Sequence, residues 1–247
     1  MPTEGPPPNA IDHQQRNAWI ALAFTAALWA GQSIAGKSIL PFIAPGTMAW
    51  VRWVLIFFLV VPFAWRELRR ERASIRANWR ILLLLGLLGT TLQNSIFLWG
   101  LHLSSAVNAA MLNSTIPIWI LVLTSLFFGR RAAHGEWVGV AVSLVGVLMI
   151  IFGGSKSPDG ALQFNVGDLI MAIGMINWSL YSVLVPRRPV HLSAWGFLTV
   201  LSAFGIVTGI PLVVIEAAMG LAVTFNTTVL FGLLYMTIPG ALVATIT

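Results

Sequence analysis

At 247 residues the chain has the length of one or two soluble domains. However, 57% of its residues are hydrophobic and 9% charged, where soluble domains carry about a quarter charged residues, and a mean hydropathy of +0.86 excludes an ordinary water-soluble core. The formal charge of +6 falls in short loops between apolar runs and so reports orientation in a bilayer rather than a nucleic-acid partner, while the absence of cysteine excludes disulfides, thiolate catalysis and Cys-ligated metal.

Taken in chain order, residues 1–18 are polar and contain Pro2, Pro6, Pro7 and Pro8. No basic segment leads into a short apolar core there, so the stretch reads as a disordered cytoplasmic tail and not as a signal peptide. Eight apolar stretches then reach the roughly 20 residues that a helix needs to cross hydrocarbon. They cover residues 19–37, 46–65, 81–101, 106–128, 136–152, 167–185, 194–215 and 229–247, and together they predict an all-α polytopic membrane protein. Asn78, Ser193 and Asn226 precede the third, seventh and eighth stretches and are of N-cap type.

The connections alternate in charge. Arg66, Arg69, Arg70, Arg72, Arg76 and Arg80 follow the second stretch, Arg130 and Arg131 the fourth, and Arg187 and Arg188 the sixth. With Arg16 these make eleven of the fourteen basic residues. The opposite side has Lys37 and Lys156, and Arg52 stays inside a stretch. The positive-inside rule therefore puts the amino terminus in the cytoplasm.

A shift of 149 positions lays Trp29 on Trp178, Ser33 on Ser182, Pro62 on Pro211 and Glu67 on Glu216, with Asn78 falling near Asn226 and Gly86 near Gly232. Stretches one to three thus recur as six to eight. Because five stretches separate the starts, the second copy enters the membrane from the other face, the inverted duplication found in many transporters. The expected organisation is a first five-helix repeat over 19–153, an external linker over 154–166 and a second repeat over 167–247 with three helices. By this reading the chain is cut short by two helices, eight spans being visible of ten.

Short motifs follow one another in a particular order. Ala27, Leu28 and Trp29 stand with Gly36 and Lys37 in the first stretch. Pro45 and Arg52 flank the second, and Gly100, Leu101, Ser104, Ser105, Ala106, Ala109 and Ala110 bridge the third and fourth. Pro117 with Ile118 and the run Gly139, Gly146, Val147 come next. This order resembles the drug/metabolite transporter superfamily, specifically the EamA-type transporters. The resemblance implies two five-helix repeats around a central cavity and efflux of amino acids, related metabolites or drug-like compounds across the plasma (inner) membrane. The chain departs from the pattern after the fourth stretch, where Arg130 and Arg131 follow Gly129 in place of the family's common Gly-Glu.

Transport needs polar groups at bilayer depth, where lipid exposure is costly. Candidate substrate contacts are Trp29, Gln32 and Ser33 in the first stretch, Asn94 within the polar run of the third, Asn113 before Pro117 in the fourth, and Trp178 and Tyr181 in the sixth. The two tryptophans line a cavity or pack between helices; the asparagines bind substrate or bond helix to helix. Arg52, about 10 Å deep at helical rise, is a candidate anion contact, or else an anchor reaching the headgroups beside Trp50 and Trp53. No Asp or Glu falls in the middle of a stretch, which favours facilitated diffusion or exchange over ion coupling. An enzyme is not expected, because the histidines are scattered among separate loops and the tail. No cofactor, metal or nucleic-acid partner is expected either. The expected partners are a small-molecule substrate and the bilayer, with oligomeric state left open. The alternative function is a non-transporting membrane partner or an inactive shortened carrier.

Overall fold

The computed structural model describes residues 16, 19–20, 27–28, 31–129, 133, 135–142, 145, 166–188, 191–221 and 223–246, the last eight by backbone alone. Among them the chain is all-helical. Residues 31–39 form α1, followed by α2 (Pro45–Arg70), a short α3 (Arg72–Ala77), α4 (Trp79–Gly86), a π-helical segment (Leu87–Leu92) and α5 (Gln93–Leu103). Then come α6 (Ala106–Asn113) and α7 (Ile116–Phe128), α8 over 135–142, α9 (Val166–Leu184) with a 3-10 turn at Val185–Arg187, α10 (Ala194–Ala218) and α11 (Thr227–Ile246).

Five of the expected spans are helices long and apolar enough to cross a bilayer: Pro45–Arg70, Trp79–Leu103, Ala106–Phe128, Val166–Arg187 and Ala194–Ala218. Their outward faces are apolar. Phe58, Phe63, Val207, Ile210 and Val214 are exposed on α2 and α10, an arrangement that water would oppose and lipid accepts. Of the remaining expected spans, α1, α8 and α11 are described in part, and Arg130 and Arg131 lie outside the described residues.

The expected fourth span is interrupted. Ser114 and Thr115 form a turn closed by Ser114 N donating to Met111 O (3.1 Å) and Thr115 N to Leu112 O (3.0 Å). Pro117 therefore sits in the first turn of a new helix, where a missing N–H costs nothing, and does not kink a continuous one.

Helix starts follow sequence chemistry at two of the three expected caps. Ser193 Oγ accepts Gly196 N (3.1 Å), and Asn226 Oδ1 accepts Val229 N (2.8 Å). Asn78 instead turns back onto α3, where its Nδ2 and its backbone N both donate to Ser74 O (2.9 and 3.1 Å). Asn226→Ala should therefore lower stability by about 1 kcal/mol, and Asn78→Ala by less than about half of that; thermal unfolding of the detergent-solubilised variants reads the difference.

The buried core has two main parts. One joins Ile39, Ile43, Met48, Leu98, Leu101, Met171, Val229, Leu233 and Met236, tying α1, α2, α5, α9 and α11 together. The other joins Leu82, Leu85, Leu192, Phe197, Val200 and Leu201 beneath α4 and α10. Helices α2 and α10 run antiparallel along each other: Gly46 at the start of α2 meets Glu216 near the end of α10 (2.7 Å), Trp50 Nε1 donates to Ile206 O (2.9 Å), and Phe63 stacks on Trp195 at the other end (5.4 Å).

Candidate functional site

The polar run of the third span takes up π-helical geometry over Leu87–Leu92. Threonine and asparagine side chains compete with the backbone for its own hydrogen bonds, and Thr90 Oγ1 does so here by donating to Gly86 O. A π segment leaves carbonyls in need of partners from neighbouring helices, and such segments recur at functional sites. Side chains of α2, α5, α9 and α10 all reach this segment. From α2, Trp53 Nε1 donates to Thr90 O (3.2 Å). From α5, Asn94 Nδ2 donates to the same oxygen (2.9 Å). From α9, Asn177 Nδ2 donates to Leu88 O (2.9 Å) and reaches Gln93 Oε1 (3.2 Å). From α10, Thr208 Oγ1 lies 2.6 Å from Thr91 Oγ1. A polar belt thus crosses four helices within the apolar bundle.

Arg52 joins this belt from α2. Its Nη1 donates to Asn94 Oδ1 (2.9 Å), and the guanidinium lies 5.9 Å from the centre of the Trp53 ring. Its Nε is buried with no hydrogen-bond partner among the described residues, and it makes no ion pair among them. The side chain points inward to Asn94. A cation at this depth without a counter-charge carries a large desolvation cost, which a bound anion would offset.

The expected site residues divide as follows. Asn94 bridges Arg52 to the π segment, with both ends of its amide bonded. Tyr181 packs over Gly89, where a Cβ would run into its ring, and Trp178 leans on Tyr181 (5.1 Å between ring centres, 33° between planes). Asn94, Arg52, Trp178 and Tyr181 are therefore gathered around one turn of backbone. Gln32 and Ser33 lie half-buried on α1. The Gln32 Nε2 is buried and unpartnered among the described residues. Gly36 faces Leu98, and one turn earlier on these parallel helices stand Gln32 and Asn94, so the two amides share a depth. Asn113 is exposed on α6, away from the belt's hydrogen bonds. Trp29 lies outside the described residues. Trp53, Gln93 and Thr208 are belt members not singled out as site residues from sequence, and only Gln93, inside the visible polar run, carried a signal.

The profile of the EamA-like transporter family matches residues 17–152, more than half of the chain. The chain belongs to that family. Among curated relatives it is 29% identical to the uncharacterized transporter YyaM of Bacillus subtilis over 47% of this chain and 38% of the relative. It is 21% identical to the uncharacterized transporter YetK of the same organism over 83% and 62%. A 70-residue stretch is 36% identical to the uncharacterized inner membrane transporter YedA of Escherichia coli, covering 28% and 22%. The match spans less than two thirds of the length of the first two relatives.

The structure gives the EamA-type motif residues concrete tasks. Lys37 Nζ gathers the carbonyls that end α5, donating to Leu101 O (2.5 Å), His102 O (3.1 Å) and Ser104 O (2.7 Å), a cation placed at the negative end of a helix. Ser104 Oγ donates to the buried Asp168 Oδ1 (2.5 Å), which also accepts Asn108 Nδ2 (3.0 Å). Ser105 caps α6 by accepting Asn108 N (3.1 Å). Gly100 lets α5 touch α9, for a Cβ there would stand 2.8 Å from Gly167 O. These residues hold one end of the belt's helices in place, while Arg52 serves the belt itself.

Proposed function

We propose that this EamA-family chain exports amino acids or related small carboxylated metabolites across the plasma membrane by alternating access. The observation that carries the reading is Arg52: a cation at bilayer depth, bonded to Asn94, with a buried donor still unpartnered among the described residues. A substrate carboxylate supplies the charge and acceptor it lacks. Gln32 Nε2 is a second unpartnered donor at the same depth, and the Trp178–Tyr181 pair offers an aromatic wall beside them.

In this reading two inverted repeats, 19–153 and 167–247, enclose the belt, the amino terminus and the arginine-rich connection lie in the cytoplasm, and substrate meets the belt from each face in turn. The duplication is supported by the antiparallel pairing of α2 with α10, the helices that the 149-residue shift superposes.

Proteoliposomes loaded with an equimolar mixture of isotopically labelled amino acids test this. Wild-type chain should release a subset of them, and Asn94→Ala and Trp178→Ala should each slow that release about tenfold, the loss of roughly 1.4 kcal/mol of substrate contact. Release by both variants at the wild-type rate removes the site assignment; no release by any form favours a non-transporting membrane protein.

A further inference from the structure

The shift that superposes Glu67 on Glu216 also superposes Ala44 on Ser193, the residues that precede α2 and α10 as N-caps. The structure joins these four positions crosswise. Near the end of α10, the buried Glu216 accepts Gly46 N (2.7 Å), Thr47 N (2.6 Å) and Thr47 Oγ1 (2.8 Å) from the first turn of α2, and Trp99 Nε1 from α5 (3.0 Å). Near the end of α2, Glu67 accepts Ser193 N (2.7 Å) and Ser193 Oγ from the start of α10, and Ser193 Oγ in turn accepts Gly196 N (3.1 Å). Ala44 has no hydroxyl to cap α2, so Glu216 reaches the amides directly, whereas Ser193 relays the contact for Glu67. At each end a glycine makes room: a Cβ on Gly46 would lie 2.7 Å from Glu216 Oε1, and one on Gly196 would lie 2.5 Å from Glu67 Oε2.

Carboxylates on helix N-termini are stabilised by free amides and by the helix dipole, and neither glutamate makes an ion pair among the described residues. Each carboxylate is therefore held mainly by the start of the partner helix, Glu216 with one further bond from Trp99 of α5. Along α2 the two junctions stand about 30 Å apart at helical rise, the thickness of the hydrocarbon layer. One lies toward each face, and both are closed in the same structure.

We propose that Glu67 and Glu216 are positioning residues that fasten α2 to α10 at both membrane faces, making this antiparallel pair a stationary axis. Access to the belt then changes by movement of the surrounding helices past the pair. The two repeats do not rock as complete rigid bodies, because each has left one helix in the shared axis. The inference rests on the transport reading for its consequence, but the fastening itself is measurable without transport.

The natural absence of cysteine makes the test direct. In the full chain carrying Phe63→Cys and Trp195→Cys, positions whose native rings stack, a short bismaleimide bridges α2 to α10. Bridged protein in proteoliposomes should keep at least half of the amino-acid release of the unbridged double variant; a tenfold loss on bridging overturns the proposal. Glu67→Gln and Glu216→Gln should each slow release in both directions alike. If the two instead bias transport toward opposite faces, they are alternating latches and not an axis. Spin labels on the same two cysteines give a readout that survives a failure of transport: one narrow distance, unchanged by the amino-acid mixture, is expected, and a second population overturns the fastening even where the chain carries nothing.

Discussion

Arg52→Met is expected to slow amino-acid release by one to two orders of magnitude while leaving the yield of folded protein unchanged or slightly higher. Hydrogen bonds to a charged group contribute about 1.5–3 kcal/mol, and each 1.4 kcal/mol is roughly tenfold in affinity. Methionine keeps an apolar stem of similar reach but offers neither donor nor charge. Its effect on stability has two opposed parts. Asn94 Oδ1 loses the charged Nη1 donor it accepts at 2.9 Å, a cost of about 1.5–3 kcal/mol. Against this, a buried guanidinium with an unpartnered Nε leaves the bundle, and removing such a charge recovers a comparable or larger amount. Loss of function without loss of fold is the signature of a binding residue. Arg52→Lys should fall between the two, because a single ammonium cannot keep the Asn94 contact and present a second edge to a carboxylate as a planar guanidinium does. Initial release rates and thermal midpoints, taken on the same preparations, check both halves.

Gly100→Val is expected to have the opposite profile, with transport disappearing because the protein no longer folds. Here α5 and α9 meet backbone to backbone. A Cβ on Gly100 would lie 2.8 Å from Gly167 O and 3.0 Å from Met171 N, and one on Gly167 would lie 2.7 Å from Gly100 O. Neither obstacle is the flexible tip of a side chain. The helices must separate, which disturbs the buried packing of Leu101 against Met171 and pulls Asn177 away from the π segment. Overpacking of this kind costs about 3 kcal/mol or more where backbone has to move. Gly167→Ala should reproduce much of the effect from the other helix. Denaturation midpoints in detergent, with the fraction recovered as monodisperse protein, read the loss.

Much of this architecture was legible because a bilayer allows few solutions. A run of apolar residues at span length is a helix, since no other backbone geometry satisfies its own polar groups in lipid. The correspondence of α2 with α10 was also visible, because Pro62 and Glu67 recur at the same spacing as Pro211 and Glu216, but the spacing did not say that the two helices lie along each other. What the spacing did not reveal is that each glutamate seats on the start of the other copy. Both stood at span ends and read as ordinary boundary charges.

The site was legible as a set of residue types and not as a geometry. Thr90, Thr91, Gln93, Asn94 and Ser95 announce a polar patch in a leucine-rich helix, yet helical periodicity carries no sign of the π turn that re-aims the carbonyls of Leu88 and Thr90. The partners of those carbonyls are Asn94 in the same span and residues of two other helices, and Trp53 among them looked like any interfacial tryptophan. Asn113 shows the reverse case. It stands before Pro117 in what reads as one continuous span, but that span breaks at Ser114 and Thr115, and the proline starts the next helix.

An alternating carrier requires the belt around Arg52 to be wet and reachable from both sides. Because the chain has no cysteine, a lone Gln32→Cys or Asn94→Cys reports on this directly in sealed vesicles of known orientation. An anionic, membrane-impermeant methanethiosulfonate is the fitting reagent, since the Arg52 charge draws it in. Modification of both cysteines from outside, and again when the reagent is sealed inside, is the result expected of an alternating pocket. Protection from both sides, under conditions where detergent-solubilised protein reacts fully, would mean a dry packed centre and would contradict the carrier mechanism.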